Sequence, residues 1–494
     1  MLNETDQLRQ QLAATTDTAK KSRLGQFFTP SPIARFMASL FRPSTETHCR
    51  LLDPGAGIGS LSLAFLERCQ NGELCFDDIR VDAFEIDEVI VPHLLDSLQE
   101  AGRHTASVVR VLPTDFIRAA VDSLLGNLFT APLPRYSHVI MNPPYRKIRN
   151  DSPHRNALRQ VGIETVNLYS AFAALSLALL APHGQLVAIL PRSFCNGPYF
   201  RPFREFILAR AALRRVHVFE RRDRAFRNDN VLQENIILLL ERGGQQNDVE
   251  ISISTDDSFS DITIHTWPFA DVVDLSDHQL FIHLPSAKAD DIALPPSACF
   301  SLDDLDIQVS TGPVVDFRQK AYLQAMPADQ SVPLLYPGHF AENSFTWPII
   351  GFRKANAIER NSHTERWLYP TGFYTVVRRL SAKEEKRRIV ASVVDPAGLQ
   401  GASMIGFENH LNVFHCRKEG LPESLAYGLA SYLNTTAVDT CFRRFNGHTQ
   451  VNATDLRNLT YPDRETLQAL GEWSMRQRDL SQEMIDAELR RRVG

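Results

Sequence analysis

The chain has 494 residues, too many for one ordinary hydrophobic core, so about two to three domains are expected. A hydrophobic fraction of 44% and a charged fraction of 22% are those of a globular protein in water, and no run of about 18 apolar residues is present to cross a membrane as a helix. The net charge is −5 and the pI about 6.3, so any surface for nucleic acid has to be local.

In chain order, the opening "MLNETDQLRQQLAATTDTAKKSRLGQFF" has no apolar core behind positive charge, which excludes a signal peptide. Seven cysteines are scattered without C-x-x-C spacing, so reduced thiols in a cytosol are expected and a metal site is not. The N-x-[ST] matches at Asn434, Asn452 and Asn458 are then chance, since a cytosolic chain never meets the glycosylation machinery. From about 50 to 241, seven short apolar runs (51–53, 79–85, 108–112, 138–141, 186–190, 216–220 and 235–240) alternate with helical patterns at 60–69, 87–101, 167–181 and 200–212. That alternation predicts a mostly parallel sheet covered on both faces, with the last two strands antiparallel because no helix separates them. "RGGQQNDVE" (242–250) reads as a linker, and beyond it β-like runs such as "WPIIGF" and "FYTVV" mix with short helices, the clearest at 422–434. The end, "DLSQEMIDAELRRR", reads as a solvated amphipathic helix.

Two stretches carry chemistry. In "LLDPGAGIGSLSLAFLE", Gly55, Gly57 and Gly59 lie between a strand and a helix, where glycine lets a ligand approach the backbone. Alone this is as well read as a tight strand–helix turn. Glu85 at the end of the next strand can accept from both ribose hydroxyls, and Asp115 with Phe116 after the third strand can meet an adenine amine and ring. The spacing is G-x-G-x-G, and Asp53-Pro54 precede it. An acid there repels pyrophosphate but suits an ammonium, which S-adenosylmethionine carries and NAD lacks.

The second stretch, Asn142-Pro143-Pro144-Tyr145, ends an apolar strand. An exocyclic purine amine is a poor nucleophile because its lone pair is delocalised. Two acceptors on its hydrogens, the Asn142 side-chain oxygen and the Pro143 carbonyl, would expose that lone pair. The prolines remove two N–H donors and keep the loop extended, and Tyr145 offers a flat face to a base. A rigid strand exit is the plainer alternative.

With "GQFFTPSPIARFMASLF", "DPGAGIGSL", "FEID", "TDF", "NPPY", "NLYSAFAALSL", "HGQLVAILPRSF" and "QENIILLLER" in this order, about half of the chain resembles the gamma-class DNA adenine-N6 methyltransferases of type II restriction–modification systems. "VSTGPVVDFR" (309–318) and "FNGHTQVNATDLRNLTYP" (445–462) resemble the PstI/BsuBI type. The resemblance implies an α/β, Rossmann-like S-adenosylmethionine-dependent methyltransferase fold with a C-terminal α+β target-recognition domain. The expected division is an N-terminal helical extension at 1–24, a catalytic domain at 25–245 and target recognition at 246–494. Phe28, Thr29 and Pro30 would border the methionine end of the cofactor. Asp53, Pro54, Gly55, Ala56, Gly57 and Gly59 would hold its amino acid, Glu85 and Ile86 its ribose, Asp115 and Phe116 its adenine, with Asn142 alongside. An aromatic after the sixth strand would sandwich the target base against Tyr145; Phe226 is the first choice and Phe219, inside an apolar run, the competitor that reads better as core.

A target amine inside a duplex has to be flipped out. Arg222, Arg224 and Arg227, with Arg221, fall beside Phe226 and suit phosphates, whereas the arginines at 201–215 read as surface. Asn446, His448, Gln450 and Asn452 can read bases, or equally brace a turn. The partners expected are double-stranded DNA and, functionally, a restriction endonuclease, for a cytoplasmic, nucleoid-associated prokaryotic protein working as a monomer or dimer without a membrane. The short stretch before residue 25 leaves no room for an N-terminal nuclease. CTGCAG is the first guess for the target. Rivals are methylation of N4 of cytosine, of an RNA adenine or of a glutamine amide, and a silent DNA-binding protein.

Overall fold

The computed structural model describes residues 2, 4–8, 28–43, 46–127, 129–219, 234–284, 294–341, 344–381, 385–445, 450–477 and 480–493. It divides into two compact units, Met1–Ala287 and Lys288–Gly494. The 1–24 extension lies mostly outside the described residues, save a helical piece at 4–8.

The first unit is built on nine strands: β1 (His48–Pro54), β2 (Asp78–Phe84), β3 (Val108–Leu112), β4 (Tyr136–Met141), β5 (Leu180–Pro191), β6 (Ala211–Phe219), β7 (Asn235–Arg242), β8 (Val249–Ser254) and β9 (Thr263–Trp267). Their order is β3-β2-β1-β4-β5-β7-β6-β8-β9, with β1 to β5 parallel and β7 antiparallel between β5 and β6. Helices α1 (Ser31–Ser39), α2 (Ser60–Gln70), α3 (Val91–Thr105), α4 (Phe116–Leu125), α5 (Pro153–Gln160), α6 (Leu168–Leu179) and α7 (Arg201–Leu208) accompany them. Successive strand residues feed opposite cores: Val139, Met141, Leu186 and Ala188 pack on one side, Ile140, Val187 and Ile189 on the other. Two buried faces explain why the strands read as continuous apolar runs rather than as alternation. The chain reverses direction across the sheet between β1 and β4, which opens a crevice at their C-terminal ends.

This is the Rossmann-like methyltransferase fold expected, with three corrections. The helix predicted to 212 stops at Leu208, because Ala211 and Ala212 already pair with Arg242 and Glu241 on β7. The boundary expected at 245 moves to 287, since β8 adds to β6 in parallel and β9 pairs with β8. Val249, Ile251 and Ile253 are buried on β8, a period-two signal in "VEISIS" that the linker reading passed over. Arg204 and Arg214, expected on the surface, are buried: Arg214 Nε donates to Glu241 Oε2 (2.8 Å), while Arg204 Nη1 donates to the carbonyls of Phe194 (2.7 Å) and Gly197 (2.8 Å), and its Nε to that of Gln279 (3.0 Å). Arg204 ties together the segment that leaves β5.

The second unit is α+β. An antiparallel sheet runs β10 (Gln308–Thr311), β20 (Leu411–His415), β17 (Tyr374–Arg378), β18 (Ala391–Val394). A second has the order β11 (Leu323–Gln324), β15 (Ala357–Glu359), β12 (Ser331–Leu335), β19 (Met404–Phe407), β16 (Leu368–Pro370), and β13 (Phe340–Ala341) pairs with β14 (Ser344–Phe345) as a ribbon. The helix expected at 422–434 is α8 (Glu423–Leu433); α9 (Thr436–Phe445), α10 (Ala453–Arg457), α11 (Arg464–Met475) and α12 (Gln482–Val493) follow. α8 and α11 cross with main chains touching: a Cβ on Gly428 would overlap the Leu467 carbonyl, and one on Gly471 that of Ser424. The terminal helix is docked rather than solvated, with Ile485 and Leu489 buried and Asp486 accepting from the Thr436 N–H at 2.7 Å.

Candidate active site

The C-terminal ends of β1, β2 and β4 surround a cavity. After β1 the chain turns through Gly55 and Ala56, whose N–H groups donate to the Phe84 carbonyl at 3.0 and 2.7 Å, docking the turn on the end of β2. Gly57 has φ +57°, and a Cβ there would sit 3.2 Å from the Phe28 ring, so glycine keeps both the conformation and the space. The Gly57 N–H donates to Glu85 Oε2 (2.9 Å) and the Asp87 N–H to Oε1 (2.8 Å). Burial raises the Glu85 carboxyl above its ordinary value, opposed by those two N–H groups. Each oxygen takes one such bond, which leaves acceptor capacity for a diol.

On the β3 side, Asp115 caps α4, its Oδ1 accepting from the N–H groups of Ile117 (2.9 Å) and Arg118 (3.3 Å). Its Oδ2 lies 2.6 Å from His154 Nε2. Burial works to raise the Asp115 carboxyl, but the His154 bond and the two N–H groups outweigh it and hold it below the ordinary range. Phe116 borders the cavity, its ring 5.2 Å from Phe84 and 5.1 Å from Phe172.

On the β4 side, Asn142 is nearly buried and borders the same cavity with Pro144. Its Nδ2 donates to Thr29 Oγ1 at 3.1 Å, so the residues before α1 aim the carboxamide. The Tyr145 hydroxyl lies 3.0 Å from Asn142 Oδ1 and 3.2 Å from the Ile189 carbonyl, with one hydrogen to share between them. The Tyr145 ring stands edge-on to Tyr169 at 6.1 Å.

Comparison with known proteins places this geometry. The Eco57I restriction-modification methylase family matches residues 133–226, which include β4 and the tetrapeptide. The type II methyltransferase M.BsuBI of Bacillus subtilis is 49% identical over 473 residues, covering 95% of this chain and 94% of that protein. M.PstI of Providencia stuartii, also a type II methyltransferase, is 42% identical, with 94% and 92% covered. The chain belongs to the type II methyltransferases. Solved structures share the fold at low identity. The DrdV–DNA complex has a TM-score of 0.56 at 13% identity, with 96% of this chain and 59% of that one covered. The type IIL restriction-modification enzyme MmeI bound to DNA has a TM-score of 0.53 at 11%, with 100% and 72% covered.

The methyl donor of this type II methyltransferase is S-adenosylmethionine, and the residues of the cavity fit it. Glu85 and Phe116, which line the cavity, are the residues that would hold a ribose diol and an aromatic base. Asp53, the expected partner of the ammonium, does not line the cavity: it is fully buried in β1, its Oδ1 has no hydrogen-bond partner among the described residues, and its Oδ2 accepts from Ser62 Oγ at 2.7 Å. Burial pushes the Asp53 carboxyl up to about 7.

Among the expected cofactor residues, Phe28, Thr29, Gly55, Ala56 and Gly57 line the cavity, as do Glu85, Ile86, Asp115, Phe116 and Asn142. Four do not. Pro30 takes the Ala34 N–H into α1, and Asp53 and Pro54 lie within β1. Gly59 (φ +87°) lets α2 pack, since a Cβ there would meet Leu94 at 2.9 Å. Arg146 and His154 line the cavity and were missed; Ser152-Pro153, a helix start just before His154, was the available signal. Phe219 is core, 2% exposed and 4.7 Å from the His217 ring. Phe226, Arg221, Arg222, Arg224, Arg227, Asn446 and His448 lie outside the described residues. Asn452 stands at the start of α10, its N–H donating to Asp455 Oδ2 at 2.8 Å, and Gln450 Oε1 accepts from Arg379 at 3.4 Å, contacts that fit the turn-bracing alternative.

Proposed function

We propose that this protein moves a methyl group from S-adenosylmethionine to N6 of adenine in a short duplex DNA sequence, and so shields host DNA from a companion restriction endonuclease. CTGCAG is the sequence to test first, on the likeness to the PstI/BsuBI type. The observation that carries the reading is the placement of the Asn142 carboxamide at the end of β4, on the cavity that Gly57, Glu85 and Asp115 also border.

When bound, the cofactor supplies an electrophilic methyl group on a sulfonium. Glu85 orients the ribose, Asp53 offers negative charge to the ammonium, and Phe28, Thr29 and the glycine turn shape the methionine end. Asp115 Oδ2 receives the cofactor's adenine amine while shared with His154. Asn142 Oδ1 and the Pro143 carbonyl accept the two hydrogens of the target amine, and the Tyr145 hydroxyl hydrogen moves to the Ile189 carbonyl as they do so. Rate then comes from positioning and fixed dipoles. No base on the protein is required, because the alkylated amine is acidic enough to lose its proton to water. Flipping the base costs a few kcal/mol, and stacking between Tyr145 and Phe226 offsets about 1–3 kcal/mol of it.

Asn142→Ala should retain cofactor binding and lower methyl transfer by about 100-fold or more; wild-type turnover in that variant would remove the role given to the amide. Phe226→Ala should weaken binding to ordinary duplex more than to DNA with a mismatched target, and equal weakening would take Phe226 out of the sandwich. Sequencing the modified bases in DNA from a host expressing the chain decides the target atom: N6-methyladenine supports the reading, and N4-methylcytosine overturns it.

A further inference from the structure

The turn between β14 and β15 in the C-terminal unit presents Ile350 with 88% of its surface exposed, beside Gly351 at φ +76°. One exposed isoleucine needs no explanation. This one stands on a braced turn. Asn356, 1% exposed, accepts from the Ile349 N–H (2.9 Å) and from His339 Nε2 (3.1 Å), and its Nδ2 donates to the carbonyls of Ile349 and Ala325, each at 2.9 Å. Trp347 Nε1 donates to the Asn356 carbonyl at 2.7 Å, so both limbs of the turn are tied to one residue.

Two more exposed apolar side chains belong to the same neighbourhood. Met326 Sδ lies 3.6 Å from Asn356 Nδ2, and Phe317, 63% exposed, adjoins Asp316, whose Oδ2 meets Lys354 Nζ at 2.7 Å. Segments 316–320 and 350–354 carry four bases (Arg318, Lys320, Arg353, Lys354) against one acid, a local +3 in a chain of net −5. Lys354 neutralises Asp316, while Arg318, Lys320 and Arg353 are exposed and have no carboxylate partner among the described residues. The Arg318 guanidinium sits 5.5 Å from the Phe317 ring centroid. Exposed apolar side chains and cations without a carboxylate partner, on two segments joined by the Lys354–Asp316 pair, suit a groove of duplex DNA, whose floor is base edges and methyl groups and whose walls are phosphates.

We propose that this braced turn, with Phe317 and Arg318, is a DNA-docking element. Ile350 packs against base and sugar edges in a groove, and Arg318, Lys320 and Arg353 meet phosphates. Bracing removes the ordering cost that a loose turn would carry into binding. The inference rests on the reading above that duplex DNA is the substrate, and it names the surface that meets it.

The test is fluorescence anisotropy of the full chain on a labelled duplex containing CTGCAG, titrated across sodium chloride concentrations. The double variant Arg318→Ala/Arg353→Ala should reduce the slope of log affinity against log salt by about two. Ile350→Ala should weaken binding about tenfold, and Ile350→Asp more. Thermal unfolding and S-adenosylmethionine affinity should stay at wild-type values in all three, because none of these side chains is buried. Wild-type affinity and slope in the variants, from a protein that still methylates the duplex, overturn the docking element alone. A wild-type protein that binds no duplex overturns it together with the proposed substrate.

Discussion

The two units place their chemistry in opposite surroundings. In the first, Glu85 and Asn142 are 6% and 8% exposed at the ends of buried strands, and each is aimed by hydrogen bonds from a neighbouring segment. In the second, the residues that suit DNA stand on exposed turns held from beneath by a buried polar residue, as Asn356 holds Ile349. On the proposed reading, the difference teaches that transfer chemistry wants side chains fixed at the ends of buried strands. Recognition wants side chains in water whose backbone alone is fixed.

The largest effect that could break this contrast is at Arg204. If buried charge secures the catalytic edge, Arg204→Ala strands three carbonyls and should cost about 3 kcal/mol or more in urea unfolding; a loss under about 1 kcal/mol would put Arg204 among the dispensable surface arginines. Next comes Glu85→Gln, which should weaken S-adenosylmethionine binding roughly 10- to 100-fold by calorimetry and cost about 1 kcal/mol of stability, since the amide NH2 faces one of the two N–H groups that the carboxylate accepts from. Undiminished affinity would mean the carboxylate serves only the glycine turn.

A pH-dependent effect sharpens the buried-crevice side. The Asp53 carboxyl, pushed up to about 7 by burial, holds a proton in the folded state that the unfolded chain has already lost. The stability of the ligand-free protein should therefore fall as pH rises from about 4 to about 7 and then level off. Binding of a cationic amino acid runs the other way: affinity should drop as pH falls below about 7, and Asp53→Asn should flatten that profile near neutrality. An unchanged profile in the variant would separate Asp53 from the ammonium. The smallest effect concerns the turn side. Asn452→Ala should cost about 1 kcal/mol, as loss of a helix cap does, and leave base preference untouched; a shift in the methylated sequence would restore Asn452 as a reader.

The catalytic half was legible because parallel strands separated by helices force their C-terminal ends onto one edge. Gly57, Glu85, Asp115 and Asn142 are far apart in sequence, yet topology alone gathers them. What was not legible depends on packing. Nothing in "RPFREFILAR" distinguishes the buried Arg204 from the exposed Arg210. Asn452 and Asp455 look alike as cap or as reader until the helix behind them is seen. His154 joins Asp115 only through the orientation of a short helix, which no spacing rule reports.

The contact of Gly428 with Gly471 governs how the C-terminal unit can be re-engineered. Two main chains in van der Waals contact leave no slack for repacking, so α8 and α11 form one welded part. A redesign of this unit should keep that part whole and alter the turns around it; any residue larger than glycine at 428 or 471 would put a methyl group where another backbone already lies.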